Sequence, residues 1–276
     1  MRFADLHLHT TFSDGTFSPS ELVKQAKEVN LSAIAVVDHD TIFGIEPSCQ
    51  AGREQGVEVL PGIELTVENH GREIHLLGYL IDYQNQRLKE QLIILNKNRI
   101  ERIHKITLKL KKLGLDLEPE AVFKISQKGS PGRLHIARAM AAEGLVSSIY
   151  EAFHKYIGDK GPAYVAGFRL SPQEGINLIK AAGGIPVLAH PYTLGDDEMI
   201  PRLVDLGLMG LEVYYSEHAP AMTSHYLKLA KKFQLLLTGG SDFHGAAKPN
   251  TKLGVVKIPY ELVEKLKEAK FKNTKS

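Results

Sequence analysis

The chain has 276 residues with twelve histidines, one cysteine and no tryptophan, and its formal net charge is +2. One cysteine excludes an internal disulfide framework and any multi-cysteine zinc or iron–sulfur site, so a bound metal must be held by imidazole and carboxylate groups. The small net charge gives no argument for nucleic-acid binding by itself. Because no apolar run reaches membrane-spanning length and the first residues lack a signal-peptide pattern, we expect a cytoplasmic protein without membrane contact.

Short apolar runs alternate with amphipathic stretches over the first 81 residues. The runs predict strands at residues 3–9, 33–39, 57–66 and 74–80. A helix is predicted at residues 19–29, because Ser18, Pro19 and Glu21 supply a capping side chain, a first-turn proline and an acidic third position.

Residues 82–165 interrupt this alternation with a pattern that is typical of helices throughout. Apolar residues recur at spacings of three or four from Leu88 to Leu113, with a break at Arg99, and Gly114 is expected to end this helix. Shorter helices are expected to follow it. The pattern predicts a helical insertion subdomain.

The insertion is also distinguished by its charge. Residues 81–165 hold 15 Lys+Arg and 9 Asp+Glu, a net charge of +6, whereas the rest of the chain holds 19 and 23, a net charge of −4. A basic helical segment can be an ordinary solvated surface, or it can form a lid over an anionic substrate. We predict the lid and keep the solvated surface as the alternative.

Strands and helices alternate again after the insertion. Further strands are predicted at residues 185–190, 211–215, 235–239 and 253–258. Further helices are predicted at residues 172–182, 201–206, 220–233 and 260–270. This alternation predicts an α/β fold with a mainly parallel sheet, in which residues 1–81 and 166–276 form one barrel around the insertion.

A histidine or an acidic residue stands at the end of at least five predicted strands. A parallel barrel gathers the carboxyl ends of its strands around one site, and burying so many ionisable groups together requires cations. Residues two apart in a strand face the same side, which applies to His7 and His9 and to Asp242 and His244. The pattern predicts a site for two or three metal ions. The nine candidate ligands are His7, His9, Asp14, His39, Glu64, His75, His190, Asp242 and His244.

These motifs resemble those of the PHP (polymerase and histidinol phosphatase) family. The motifs that carry the resemblance are His7-x-His9, Ser13-Asp14-Gly15, Asp38-His39-Asp40, Pro61-Gly62-Ile63-Glu64, His190-Pro191 and Ser241-Asp242-x-His244. The resemblance implies a distorted (β/α)7, TIM-like barrel. Within the insertion, the segments 132–137 and 158–165 are similar to the TrpH-like branch, which contains nucleoside 3′,5′-bisphosphate phosphatases and a 5′→3′ exoribonuclease acting on short RNA.

The resemblance further implies a centre of three divalent metal ions. It assigns the first ion to His7, His9, Glu64 and Asp242, the second to Glu64, His75 and His190, and the third to Asp14, His39 and His244. Manganese, zinc and iron all suit such mixed ligands. A metal-bound hydroxide would attack the phosphate, so no protein nucleophile is required. Cys49, in a predicted helix, is interpreted as structural.

Four residues are predicted to contact the substrate. Arg133 stands near a predicted helix start and Lys160 lies between Gly158 and Gly161, so both are expected to bind phosphate. His218 follows the sixth strand and His135 lies in the insertion. For Arg133 and Lys160 the alternative is an exposed cation, and for His135 it is a packing role or support of a ligand. Asp38 and Asp40 are interpreted as turn-forming residues or as supports of His39.

The combined pattern predicts a metal-dependent phosphoesterase, a hydrolase of ester bonds. We expect it to act on nucleoside 3′,5′-bisphosphates, AMP or the 5′ ends of short RNA, and to need no obligate protein partner. One alternative is a histidinol-phosphate phosphatase, although the insertion better fits a nucleotide-sized anion. The other is a non-catalytic metal-binding module, against which the complete ligand set argues.

Overall fold

The computed structural model describes residues 1–126, 129–167 and 169–273. Within these described residues, eight strands form one curled sheet with the order β7-β6-β5-β4-β3-β2-β1-β8. The strands are β1 (Phe3–Leu8), β2 (Ala33–Val36), β3 (Glu58–Asn69), β4 (Arg72–Tyr79), β5 (Ile185–Leu188), β6 (Gly210–Tyr215), β7 (Leu236–Gly240) and β8 (Ile258–Pro259). Of the strand predicted at residues 253–258, only Ile258 is in a strand, and together with Pro259 it forms β8.

Ten α-helices surround the sheet or form the insertion within the described ranges. They are α1 (Pro19–Glu28), α2 (Ile45–Gln55), α3 (Gln86–Lys112), α4 (Pro119–Ser126), α5 (Arg133–Ala142), α6 (Ile149–Ala152), α7 (Pro172–Ala181), α8 (Met199–Asp205), α9 (Pro220–Lys232) and α10 (Glu261–Asn273). A π-helical turn at Phe153–Ile157 follows α6. The predicted α/β barrel with a helical insertion is confirmed.

The sheet departs from the predicted parallel arrangement at β4. Strand β4 pairs antiparallel with both β3 and β5, and β8 pairs antiparallel with β1, whereas the other neighbouring strands are parallel. The cause is a tight β3–β4 connection in which His70 and Gly71 adopt positive φ angles of 50° and 80°. Because β4 runs in the opposite direction, its first half lies where the parallel strands end. His75 reaches the common site from there.

The barrel closes between the end of β1 and the segment that follows β7. The backbone N–H of His9 donates to the Phe243 carbonyl at 3.1 Å, and the N–H of Phe243 lies 3.3 Å from the His7 carbonyl. Gly240 makes this approach possible, because a Cβ atom there would lie 2.4 Å from the His7 Cβ. Closure therefore brings the His7–His9 pair beside Asp242.

Helix α3 belongs to two hydrophobic cores. Leu88, Leu92 and Leu95 in its first half pack into a barrel core, whereas Ile103 and Ile106 in its second half pack into a separate core of the insertion. The break that the sequence showed at Arg99 does not interrupt the helix. That residue lies between the two apolar halves and bonds to the barrel. The division at residues 82–165 stays a prediction, because α3 lies within these residues and still packs its first half into a barrel core.

Candidate metal centre

The carboxylate of Glu64 lies at the centre of the site and has no exposed surface. Its Oε2 atom lies 3.1–3.3 Å from three imidazole nitrogens, and its Oε1 atom lies 2.8 Å and 3.1 Å from two others. The imidazoles belong, in that order, to His7, His9, His39, His75 and His190. One carboxylate is thus in contact range of five histidines from four different parts of the chain.

Asp242 and Asp14 extend the site away from Glu64. The Oδ1 atom of Asp242 lies 3.2 Å from His9 Nε2 and 3.4 Å from His244 Nδ1. The opposite nitrogen of His244 lies 3.1 Å from Asp14 Oδ1. All nine predicted ligands therefore lie in one continuous cluster at one end of the barrel.

Three groups of these residues place their ligand atoms within 4.8 Å of one another. They are His7, His9, Glu64 and Asp242; His9, Asp14, His39 and His244; and His39, Glu64 and His75. The first group equals a set implied by the family resemblance, and the second adds His9 to another. The third contains His39 where the resemblance placed His190, whose Nε2 atom nonetheless lies 3.1 Å from Glu64. The assignment of all nine as ligands stays a prediction.

Several nitrogen and oxygen atoms of the cluster lack hydrogen-bond partners, and this makes the cluster suitable for divalent cations. His9 Nε2, His39 Nδ1, His75 Nδ1 and Asp14 Oδ1 are buried and have no hydrogen-bond partner among the described residues. The three nitrogens lie within 3.3 Å of a Glu64 oxygen but are not aligned to donate to it. Buried polar atoms of this kind need a partner, and nitrogen and oxygen donors that converge without bonding suit a cation.

The same crowding shifts the pKa values of the site. Burial acts to lower the pKa of His9 and of His75, but nearby carboxylates outweigh it and raise these pKa values to about 9 and about 10. Burial acts to raise the pKa of Glu64, but the surrounding imidazoles hold it well below its usual range. In the metal-free protein, protonated His9 and His75 therefore compensate the buried carboxylates, whereas burial lowers the pKa of His39 to about 3. Metal binding would displace those protons.

Glu212 supports the cluster from β6 and was not found by sequence reasoning. It is fully buried, accepts a hydrogen bond from His7 Nδ1 at 2.9 Å and accepts another from the His190 backbone N–H at 2.7 Å. The first bond fixes the His7 tautomer and leaves Nε2 directed at Glu64. The available signal was a charged residue inside the apolar run of that strand.

Other side chains form hydrogen bonds to the ligand atoms that face away from the cluster. His75 Nε2 donates to Glu73 at 2.9 Å, while Tyr215 and Lys248 donate to the second oxygen of Asp242 at 2.8 Å and 2.5 Å. These contacts leave the inner atoms of His75 and Asp242 directed at the cluster. The positions of Glu73, Tyr215 and Lys248 follow no sequence motif, so sequence reasoning could not identify them.

Asp38 and Asp40 fix the backbone around the centre. Asp38 accepts from the Thr10 N–H at 2.7 Å and from the Ser13 hydroxyl at 2.6 Å, which orders the loop that carries Asp14. Asp40 accepts from the Thr66 N–H at 2.9 Å and from Arg99. They thus support the Asp14 loop and β3, as well as the turn that follows His39.

Three residues of the site have left-handed backbone conformations. The φ angles are 25° at His190, 49° at Asp40 and 56° at Asp242. Non-glycine residues adopt this region at a cost, and such strain concentrates at functional sites. Packing of the barrel therefore holds two candidate ligands in conformations that local sequence would not select.

Of the two predicted phosphate-binding residues, Arg133 lies at the edge of the cluster. Arg133 is the first residue of α5, and its guanidinium lies 3.2 Å from Glu73 Oε2 and 2.5 Å from Asp159 Oδ1. Glu73 therefore connects Arg133 to His75, because its carboxylate contacts both side chains. Lys160 is exposed and forms no ion pair with any described residue.

The two predicted substrate histidines are engaged within the protein. His135 is buried, and its Nδ1 accepts from the Gly132 N–H at 3.0 Å at the start of α5. His218 Nδ1 donates to the Val213 carbonyl at 2.8 Å, and its ring lies against Tyr215, which bonds to Asp242. These contacts favour positioning roles, and substrate contact by either histidine stays a prediction.

Comparison with known proteins agrees with this geometry. Residues 5–129 match the family model of the PHP domain. A 5′-3′ exoribonuclease of Haemophilus influenzae is 34% identical, over 87% of this chain and 89% of its own length. A phosphoribosyl 1,2-cyclic phosphate 1,2-diphosphodiesterase of Eggerthella lenta is 28% identical over 87% and 94%. A 3′,5′-nucleoside bisphosphate phosphatase of Chromobacterium violaceum is 28% identical over 91% and 90%.

A solved structure from Bifidobacterium adolescentis, named as a metal-dependent phosphoesterase, superposes with a TM-score of 0.89 at 31% identity. It covers 95% of this chain and 94% of its own. The chain belongs to the PHP domain family of metal-dependent phosphoesterases. It is therefore a hydrolase of phosphate esters, which confirms the predicted class of enzyme.

The helices of the structure bear on the predicted lack of membrane contact. Among the residues that the structure describes, no helix combines the length and the apolar character that a membrane span requires. The cytoplasmic location stays a prediction.

Removing the charge of Glu212 should weaken metal binding. In the Glu212→Gln variant, His7 loses its carboxylate partner, and losses of about 10–100-fold in metal affinity are usual for such outer contacts. Manganese titration of the metal-free protein measures the dissociation constant. Glu54→Gln, an exposed residue of α2, is the matched control. Equal affinity in both variants would contradict the role given to Glu212.

Burial of His135 should make folding stability depend on pH. Burial lowers its pKa from 6.5 to about 4, so between these values the unfolded chain binds more protons than the folded one. The stability that neutral His135 contributes is complete above pH 6.5 and is lost as the pH falls toward 4. The stability advantage of the wild type over His135→Asn should therefore shrink by about 1–2 kcal/mol between pH 7 and pH 5. Urea unfolding followed by circular dichroism measures it, and an equal advantage at both pH values would contradict the prediction.

Proposed function

We propose that this chain hydrolyses phosphate esters of nucleotides, with nucleoside 3′,5′-bisphosphates, AMP and the 5′ ends of short RNA as its substrate class. The observation that carries the proposal is the set of three overlapping ligand groups, two of which share Glu64. They border an open cavity of about 220 Å³, so a phosphate group can reach them. The nine residues named above would hold three divalent ions of manganese, zinc or iron.

The divalent ions, when bound, supply charge neutralisation for phosphate oxygens and acidify a water for attack. The protein residues orient the reactants. Lys248 and Tyr215 fix Asp242 at the wall of the cavity, and Glu73 fixes His75. No protein nucleophile is required. Cys49 lies in α2, where its thiol faces the Val59 carbonyl.

Arg133 and Lys160 would bind a phosphate group that does not react. Glu73 and the ring of Tyr164, 5.5 Å from the guanidinium, hold Arg133 beside the centre. Its second partner, Asp159, has a side chain that is 72% exposed, so a substrate phosphate can replace it. Charge-assisted bidentate contacts of this kind are typical of phosphate recognition. His135 would position the start of α5, and His218 would position Tyr215.

Histidinol phosphate is the less favoured substrate. The relatives described above are named for RNA, nucleoside bisphosphate and phosphoribosyl cyclic phosphate substrates, which share a phosphorylated ribose. The basic insertion, which supplies Arg133 and Lys160, provides the charge for a second phosphate. Both features support the nucleotide class.

A phosphate-release screen in manganese tests the proposal. We expect 3′-phosphoadenosine 5′-phosphate, AMP or a short 5′-phosphorylated RNA to react faster than histidinol phosphate. Asp14→Ala and His190→Ala should reduce the rate at least 100-fold, chelation should abolish it and manganese should restore it. Metal analysis should find three ions per wild-type chain and fewer in the variants. Preferred hydrolysis of histidinol phosphate, or wild-type rates in both variants, would refute the proposal.

Loss of the basic side chains should affect substrate binding more than turnover. Arg133→Ala and Lys160→Ala should each raise KM for 3′-phosphoadenosine 5′-phosphate about 10-fold, as expected for one hydrogen bond to a charged group. The value of kcat should change less. Lys105→Ala, an exposed lysine of α3, is the control. An unchanged KM in both variants would show that other groups bind the phosphate.

A further inference from the structure

A groove of about 440 Å³ lies beside the metal centre, between helix α3 and the segment that follows β2. One wall contains Leu92, Ile93 and Asn96 of α3, and the opposite wall contains residues 41–43. Ser130 also lines the groove. Its volume falls in the range of about 300–1,000 Å³ that small-molecule sites occupy. The mechanism proposed above does not use this groove.

The groove walls expose flat and branched apolar groups to solvent. The side chain of Phe43 is 64% exposed, and that of Ile93 on the opposite wall is 70% exposed. The ring of Phe12 lies 6.5 Å from the ring of Phe43 and supports it. An aromatic face opposite an aliphatic side chain offers stacking surface for a planar ring.

Two buried polar atoms of the groove lack partners. Asn96 Oδ1 and Ser130 Oγ have no hydrogen-bond partner within residues 1–126, 129–167 and 169–273. At the rim, by contrast, Tyr83 donates to Glu46 at 2.5 Å. Unpaired buried amide and hydroxyl groups are costly unless a ligand bonds to them. Amide and hydroxyl groups are suited to the edges of nucleobases.

The groove is connected to the metal centre at two points. Asp40, which lines the groove, follows the candidate ligand His39 directly. The backbone N–H of Ser130 donates to the Phe12 carbonyl at 2.9 Å, and Phe12 lies two residues before Asp14. A molecule in the groove is therefore adjacent to the loops that carry two candidate ligands.

We infer that the groove binds the base of the nucleotide whose phosphate reaches the metal centre, an inference that rests on the proposed function. The base stacks between Phe43 and Ile93, and its polar edge bonds to Asn96 and Ser130. The apolar walls supply affinity for any base. The unpaired amide and hydroxyl favour a nucleobase over a purely apolar occupant.

Comparison of two substrates that differ by the base tests the inference. For Phe43→Ala, kcat/KM for AMP should fall about 10-fold, mainly through KM, because one stacking partner is lost. The value for ribose 5-phosphate should stay within twofold of the wild type, which also shows that the variant is folded. Equal losses for both substrates, or no loss for AMP, would overturn the base site. Failure of the wild type to hydrolyse AMP, 3′-phosphoadenosine 5′-phosphate and short 5′-phosphorylated RNA would instead overturn the proposed function together with this inference.

Adjacent isoleucines of α3 provide a matched pair. Ile93 lines the groove, whereas Ile94, 47% exposed on the same helix, does not. We expect Ile93→Ala to lower kcat/KM for AMP about threefold relative to ribose 5-phosphate, and Ile94→Ala to leave this ratio unchanged. If the groove instead joins two copies of the chain, Phe43→Ala would change the sedimentation coefficient without changing the substrate ratio. That result would refute the inference.

Discussion

Burial of a carboxylate among imidazoles is the interaction on which the rest of this molecule depends. Glu64 has no exposed surface, and its two oxygens lie within 3.3 Å of five imidazole nitrogens. An isolated buried charge would destabilise the fold, so the surrounding histidines must be protonated or must share cations with Glu64. The barrel meets this requirement by bringing histidines from four chain segments to one point. Catalytic potential and structural compensation thus come from the same groups.

Closure of the barrel sets the positions of the histidines around Glu64. The bonds between the His9 and Phe243 segments, made possible by Gly240, bring the end of β1 against the end of β7. The antiparallel direction of β4 adds His75 from a third side. Glu212 then fixes His7 and the backbone of His190 with one carboxylate. The outer carboxylates therefore act on ligand orientation, which is the property that determines metal affinity.

The sequence predicts the nine-residue cluster because strand ends in a barrel converge, and because residues two apart share a face. It predicts neither the direction of β4 nor the role of Glu212. The first depends on a two-residue turn at His70 and Gly71, and the second on a contact between strands that are distant along the chain. The interruption at Arg99 was visible, but its cause was not. Its partner Asp40 lies 59 positions away, and local periodicity carries no such information.

Helix α3 also decides how this enzyme can be altered. Since its first half completes a barrel core and its second half completes the insertion core, no cut at the subdomain boundary leaves both cores covered. Excising the insertion together with α3 would remove Leu88, Leu92 and Leu95 from the barrel core. The insertion is consequently not an exchangeable module. Substrate range in this scaffold is therefore expected to change by substitution of individual side chains, with α3 itself retained.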